Sequence, residues 1–589
     1  MVLALTRRVI AFAMCAMICA FFTRAHSTTS EWHQSEFVCG VYMPWERIGW
    51  VAKNAGMDKW TYCAKLMGEL AERYNVNLVW VVNIATEDAV RICRLGAKHG
   101  IKVMPTASTM LHWFYWLGPR QFDEYVQRTA EAFAKVEGFY AYVLVDEPRT
   151  HDMMRIEAMR AALERIDPRH PSFAVTMVRD TESAAKRTRF HVLVTDVYPF
   201  FAPLSPNGPN TPQASRAYYR FCIMQLAKLA QRAGKLHWVM PQIFADVWGP
   251  WHYDKQMNVV LERGAYHHWR MPTLGEVRWQ IWNAIASGAK GIVFFVLFPA
   301  PNERKPTEPY RGRPLPSNLP LAERAVSTGM GCALLYNNGT PTPQMKVMAQ
   351  QFAICRRLSD LLMNLEPSVM PVGFAREPLY VATLTHRGTG ETFIVVINDD
   401  TDNAVEATIS LMPHVESVRD VISGQRFRAG QSNGEFGQVR LRVDAGSGRL
   451  LQIAAREGAG AMCIIYDDFE TQVIAAKLQN AERRLLRAPW GIGWIGEIIP
   501  KGNSATVEYD LSRKPIAQRG KLFIWLDIRT AESLNEAVAL RTSTDGKNFK
   551  QVTVNEPPLP TPLPEGTKWI RITLSGNTAL RSVTINVVQ

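Results

Sequence analysis

Two acids stand side by side, Asp146 and Glu147, directly after the apolar run FYAYVLV (139–145) and directly before Pro148. Adjacent carboxylates at the end of a buried run are costly to ionise together, so one keeps its proton or both are hydrogen-bonded. A carboxyl group that stays protonated near neutral pH does the work of a general acid, giving a proton to a leaving oxygen. Glu147 is the candidate, with Asp146 raising its hold on the proton. The structural alternative is a charged turn that starts a helix near Thr150, with Asp-Glu-Pro as helix punctuation.

A further carboxylate and a phenol, Asp196 and Tyr198, end the run HVLVTDV (191–197). They orient substrate or water in one reading and form an ordinary X-Pro turn before Pro199 in the other. Aromatic residues gather in two places: His112-Trp113-Phe114-Tyr115-Trp116 after the run IKVMPTA (101–107), and Phe244, Trp248, Trp251, His252 and Tyr253, with Gln242 and Asp246 among them, at and after HWVMPQIF (237–244). Aromatic faces pack on the apolar face of a pyranose ring, which makes both segments candidate substrate walls, although any one of these rings suits a core equally. The expected set is therefore catalytic Glu147, Asp146 and Asp196, with Trp45, Asn83, Trp113, Tyr198, Gln242, Asp246, Trp248 and Trp251 binding substrate. Glu46 and Arg149 complete the polar inventory. Glu276 reads as a helix-start residue.

These groups need a frame that brings them together, and the runs supply one. FVCGVYM (37–43), NLVWVVN (77–83), IKVMPTA, FYAYVLV, SFAVTMV (172–178), HVLVTDV, HWVMPQIF and GIVFFVLF (291–298) alternate with segments of helical periodicity such as TEDAVRICRLGAKHG and FDEYVQRTAEAFAKVEG. Near-continuous apolar strands, each followed by a covering helix, predict an α/β fold with a parallel sheet buried on both faces. Eight such units in about 300 residues predict a closed (β/α)8 barrel over 28–366, its last helix near 345–365 after a Pro-rich loop from Pro299. Reactive groups then belong at the C-terminal ends of the strands, where Glu147 and Asp196 fall. No GxGxxG turn follows the first strand, which weakens a nucleotide-binding reading. From Pro367 the pattern changes to alternation with turn signals, predicting one antiparallel β-sandwich over 367–456, a Gly/Ala linker in REGAGAM, and a second sandwich over 457–589.

Composition is that of a globular protein, 47% hydrophobic and 21% charged over 589 residues. Residues 1–27 carry Arg7 and Arg8, an apolar run from Val9 to Phe22 and a small-x-small site at Ala25-His26-Ser27, which predicts a secretory signal and a secreted or periplasmic protein with no stable membrane span after cleavage. The net charge of +13 falls to +10 once Arg7, Arg8 and Arg24 leave with the signal; the charges are scattered, which argues against nucleic acid and only weakly for an anionic partner. Seven cysteines then remain at irregular spacing, an odd number that makes no disulfide framework. No metal or cofactor is expected. Oxygen ligands do cluster at Asp467, Asp468 and Glu470, where calcium and a polar strand start are equally good readings.

Three segments, GFYAYVLVDEP, VLVTDVYPF and EVRWQIWNAIASGAKGIVFF, resemble the clan A glycoside hydrolases and their bacterial relatives over about 37–299. The resemblance implies a carbohydrate substrate, anionic or N-acetylated glycans included, and an acid/base glutamate at the end of strand four, the position of Glu147, with Asp146 where the clan has Asn. It also implies a nucleophilic glutamate at the end of strand seven, where this chain has Gln242, an amide that cannot form the glycosyl ester. Three possibilities follow. In the first, the substrate's acetamido group attacks, oriented by Asp146, as in barrel hexosaminidases with a paired Asp-Glu. The second is inversion, with water activated by Asp196 or Asp246 across about 6.5–9.5 Å. The third is a barrel that binds glycan without cleaving it. TSTDGKNF and the final strands resemble the galactose-binding, discoidin-like sandwiches that accompany glycan enzymes.

Overall fold

A computed structural model describes residues 32–107, 119–203, 205, 211–256, 259–301, 327–431, 436–531 and 533–589. Eight parallel strands form one sheet: β1 (Val38–Pro44), β2 (Leu78–Ile84), β3 (Lys102–Ala107), β4 (Tyr142–Asp146), β5 (Ser172–Met177), β6 (Val192–Val197), β7 (Leu236–Pro241) and β8 (Gly291–Phe294). Its order is β3-β2-β1-β8-β7-β6-β5-β4. The two edges meet through a parallel bridge between Val103 and Phe139, with Tyr140 N donating to Val103 O at 2.9 Å, so the sheet closes into a barrel.

The pleat divides each strand between two cores. Val38, Tyr42, Leu78, Trp80, Met104, Phe173, Val175, Val194 and Trp238 form the lumen cluster, while Cys39, Val41, Val79, Val81, Leu193 and Val239 pack under the helices. Large rings fill the lower lumen: Phe173 and Trp238 lie 4.8 Å apart, and Trp32 closes the N-terminal end edge-on to Tyr140 and Phe173. Gly291 makes room for this layer, since a Cβ there would stand 2.7 Å from the Trp238 ring. The lumen is a packed core, and reactive groups are left to the strands' C-terminal ends.

The covering helices are α1 (Trp45–Asn54), α2 (Lys59–Glu72), α3 (Thr86–Ala97), α4 (Pro119–Phe133), α5 (Met153–Ile166), α6 (Thr181–Arg187), α7 (Pro212–Arg232), α8 (Leu274–Ala286) and α9 (Pro343–Arg357). Side-chain oxygens start several of them: Thr211 before α7, Thr342 before α9, and a capping box of Thr273 with Glu276 at α8. The last barrel helix is shorter than the sequence suggests, because the chain breaks at Leu358 into a separate turn, Ser359–Asn364.

Between β7 and α8 the chain leaves the barrel. Ala245–Trp248 is flanked by Tyr266–Trp269 and by Ser327–Cys332 in a three-stranded sheet, and Trp251–Tyr253 pairs with Val259–Leu261. The sequence reads this stretch as a loop, since its strands are three to six residues long and one partner comes from some 80 residues downstream.

Two antiparallel sandwiches follow, one between Leu365 and Ala455 and one between Ala461 and Val588. The first docks on the barrel through α8. The Arg220 guanidinium pairs with Asp399 at 2.9 and 2.5 Å, the Trp279 indole donates to the same carboxylate at 2.8 Å, and a Cβ at Gly275 would stand 1.8 Å from Thr401 O. The second docks through α7, where Lys228 and Arg232 pair with Asp468 and Glu470. Asp467 accepts from Ile474 N, Ala475 N and the Tyr509 hydroxyl, so the three acids considered for calcium are engaged by protein donors. Among the described residues no helix is long and apolar enough to cross a membrane. The expected signal, 1–27, lies outside the described residues, as does Trp113.

Candidate active site

Asp146 is the last residue of β4, and Glu147 turns the chain out of the barrel with φ at +47°, a left-handed conformation unusual for a residue with a long side chain. Its N–H still bonds Val175 O at 3.1 Å, which ties this turn to β5. Strain of this kind persists where surrounding structure imposes it, and it clusters at functional sites. Asp196 sits near the end of β6, two strands away, and Tyr198 lies just beyond.

The three carboxylates converge. Glu147 and Asp196 lie within hydrogen-bonding reach of each other, so one proton between the two carboxylates joins them. Asp196 is buried, and its Oδ1 meets no donor among the described residues. Burial, then the Glu147 charge and the bond to it, push the Asp196 pKa far up, so Asp196 is the first resident of the shared proton. Burial also raises Glu147, opposed by the bond from Asp196 and by the Arg179 charge. Asp146 keeps contact with solvent through the mouth although protein atoms crowd it; that crowding and the Glu147 charge lift its pKa to about 7, against the pull of the Tyr42 hydroxyl, which donates to Oδ2 at 3.2 Å.

Aromatic rings form the floor and side of this recess. Tyr198 stacks on Phe295 at 5.6 Å and meets Phe244 edge-on at 5.0 Å and Trp269 at 5.9 Å; Tyr42 lies 4.7 Å from Phe295. Asn83, also left-handed at +58°, donates to Glu46 Oε2 at 3.3 Å on the exposed rim. Arg149 is exposed, 3.9 Å from Asp180, whose other oxygen holds the Thr150 N–H and hydroxyl.

Several expected residues stand elsewhere. Trp45 is buried between helices, donating to Asp88 at 3.0 Å with Lys59 4.0 Å above its ring, so it packs behind the wall. Gln242 is fully buried: its Oε1 accepts from Phe200 N at 2.9 Å and its Nε2 donates to Phe200 O, Phe244 O and Arg270 O, which fixes the loops after β6 and β7 and leaves nothing for a ligand. Asp246 is buried and accepts from the Trp248 indole at 2.9 Å; Trp248 stacks on His268 at 4.1 Å. Trp251 is fully buried in the core of the excursion with Val247 and Ala300. Glu276 caps α8 and is doubly bonded to Arg270.

Tyr42, Phe295, Trp269 and Arg179 escaped the sequence reading. Tyr42 had a signal, being in phase with inward Val38 on β1, and Phe295 sits at the end of an evident strand. Trp269 had none, since it reaches the mouth from the excursion sheet. Among the described residues no three His, Cys, Asp or Glu side chains are placed to hold a metal ion.

The fold and this site define a (β/α)8 barrel whose mouth carries three neighbouring carboxylates, Asp146, Glu147 and Asp196, over an aromatic floor. No family model and no curated protein matches the chain. Among solved structures it is similar to an endo-β-1,4-mannanase from Thermotoga petrophila (9% identity, 71% of this chain and 98% of that one, TM-score 0.36). It is similar also to a glycoside hydrolase family 5 protein from Bacteroides vulgatus (10%, 72% and 93%, TM-score 0.42) and to AmyP in complex with maltose (8%, 71% and 97%, TM-score 0.40).

Proposed function

We propose that the protein is a glycoside hydrolase in which Glu147 protonates the leaving oxygen. The observation that carries this reading is the placement of Asp146, Glu147 and Asp196 at the strand ends of one barrel mouth, Glu147 in a left-handed turn and Asp196 close enough to share its proton. The shared proton rests on Asp196, buried behind Glu147, and passes through the Glu147 carboxyl to the leaving oxygen. Asp146, partly ionised near neutral pH and steadied by Tyr42, orients and polarises the attacking group.

The geometry bears on which mechanism this is. Asp196 touches Glu147, so no water-sized gap of about 6.5 Å or more separates them as inversion demands. Asp246 is buried and bonded to Trp248, and Gln242 is locked in its backbone ring. With Gln242 in place of a carboxylate at the end of β7 and Asp246 engaged by Trp248, attack by the substrate's own acetamido group is the reading these positions favour, and N-acetylated glycans are the substrate class it implies. We also propose export, on the strength of the signal-like residues 1–27; N-terminal sequencing of the mature protein after cell fractionation tests it.

The same absence at the end of β7 supports one competing reading, a barrel that binds glycan without cleaving it. Hydrolysis of aryl glycosides and polysaccharides, N-acetylated and sulfated ones included, by wild type and Glu147→Gln decides. Cleavage of N-acetylated substrates that disappears in a folded Glu147→Gln supports the hydrolase. A wild type inactive across the panel that still binds one polymer supports the binder.

A further inference from the structure

A second recess lies away from the barrel mouth, where the outer face of α7, residues 367–369 of the first sandwich and one sheet of the second sandwich meet around a cavity of about 690 Å³. That volume falls within the roughly 300–1,000 Å³ typical of small-ligand sites. Its floor is set by strand register. On the strand Lys521–Arg529, Leu522, Ile524 and Leu526 point into the sandwich core, which turns Trp525 and Asp527 outward. Thr584 pairs with Trp525 on one side and with Tyr466 on the other, and Ser582 pairs with Asp527. The outward row Tyr466, Thr584, Trp525, Ser582 and Asp527 is thus one continuous surface. Phe523, next along, is covered by the first sandwich through Phe436, so the sheet's contact with its neighbour stops where the recess begins.

The recess has the composition of a sugar site rather than of an unfilled seam. Trp525 is 36% exposed, a large flat ring presented among hydroxyl and carboxylate groups. The Asp527 carboxylate has no hydrogen-bond donor among the described residues. Arg581 Nε is buried with no acceptor in hydrogen-bonding range, its nearest carboxylate oxygen, on Glu497, standing 4.0 Å away. The Asp527 carboxylate and the Arg581 guanidinium thus lie together beyond one end of the stacking face, where sugar hydroxyls can meet an acceptor and a donor while the ring's C–H face covers the indole. The charges balance: Lys228 and Arg232 are paired with Asp468 and Glu470 at one end, and Arg581 offsets Asp527. Among the described residues that line the recess no surplus cation remains to select a sulfated or uronic chain.

We propose that this recess binds a segment of an uncharged glycan, stacked on Trp525 and held by Asp527 and Arg581, as a docking site separate from the barrel mouth. The test is native affinity electrophoresis of the full chain carrying Glu147→Gln, in gels containing galactomannan, xyloglucan, hydroxyethylcellulose, amylopectin or glycol chitin, with alginate and heparin gels beside them. Retardation is expected in at least one uncharged gel, abolished by adding Trp525→Ala and weakened by Asp527→Asn. In the otherwise wild-type chain, Trp525→Ala leaves hydrolysis of small aryl glycosides unchanged. The proposal is overturned if no uncharged gel retards the protein, if retardation survives Trp525→Ala, or if only the anionic gels retard it. Failure of the hydrolase reading is a different result, an inactive wild type, and leaves the retardation standing.

Discussion

The Tyr42 hydroxyl donates to Asp146 Oδ2 at 3.2 Å and so joins the end of β1 to the end of β4 across the barrel mouth. It opposes the burial and the Glu147 charge that together raise Asp146 to about 7. A hydrogen bond to a charged group contributes about 1.5–3 kcal/mol, and one pKa unit is about 1.4 kcal/mol. Tyr42→Phe is therefore expected to move the Asp146 titration upward by about one unit with little change in fold. The pH dependence of kcat/KM reads this directly, and carboxyl infrared titration reads it without turnover. An unmoved Asp146 would show that the phenol does not steady the carboxylate.

Asp196 should be an asset to activity and a burden to stability. Its folded-state pKa lies above the unfolded value near 3.9, so the folded chain binds this proton more tightly. The stability it contributes is complete below about pH 4 and is lost as pH rises through the folded pKa. Asp146 behaves alike, its contribution fading between about 4 and 7. Asp196→Asn removes a buried acid that must stay protonated, so its melting temperature is expected to gain on wild type progressively as pH rises from about 4, while kcat drops about 10²-fold or more. Thermal melts from pH 5 to 9 check the first half. Equal melting curves at every pH would place Asp196 in a solvated environment.

The barrel was legible because both physical signals repeat: eight apolar runs need cover on two faces, and each is followed by a helical period. Glu147 and Asp196 were legible from position, since strand ends in such a barrel share one rim. Gln242 misled because residue type and strand position were right while direction was not; nothing in HWVMPQIF shows that its amide turns toward Phe200, Phe244 and Arg270 instead of the mouth. Trp45 and Trp251 misled for the same reason, their rings being apolar enough for either side of a wall. The excursion sheet was illegible because Ser327–Cys332 joins Ala245–Trp248 from far along the chain, and pairing at that range leaves no local trace.

Gln242 then makes a firm case for a structural role. Its amide satisfies one backbone N–H and three carbonyls in a fully buried setting. Gln242→Ala strips this partner from Phe200 N–H and from the Phe244 and Arg270 carbonyls, Phe200 O keeping the Arg270 N–H, at about 1–3 kcal/mol for each group left unsatisfied, and is expected to lower the denaturation midpoint sharply. Gln242→Glu places a charge against three carbonyl oxygens and is expected to destabilise comparably without placing a nucleophile at the barrel mouth. Urea unfolding of both variants, with trapping of any glycosyl-enzyme by mass spectrometry, checks the pair. A stable Gln242→Glu that forms such an adduct would mean the side chain reaches the mouth.

Asp399 holds the first sandwich to the barrel by accepting from both the Arg220 guanidinium and the Trp279 indole. Both donors come from barrel helices, α7 and α8, and the Arg220 guanidinium also lies 3.8 Å from the Tyr380 ring of the sandwich. Removing the carboxylate strands a cation and an indole N–H in a half-buried seam, a loss of about 2–3 kcal/mol for charge-assisted bonds. The close approach of Gly275 to Thr401 O leaves no room for the seam to repack around a smaller side chain. Asp399→Ala is thus expected to loosen docking before it unfolds either unit, giving faster proteolysis in the junction at 398–403 and earlier hydrogen exchange along α8 than in the rest of the barrel. Uniform exchange across the chain, with only the global melting temperature lowered, would show that barrel and sandwich unfold as a single cooperative body.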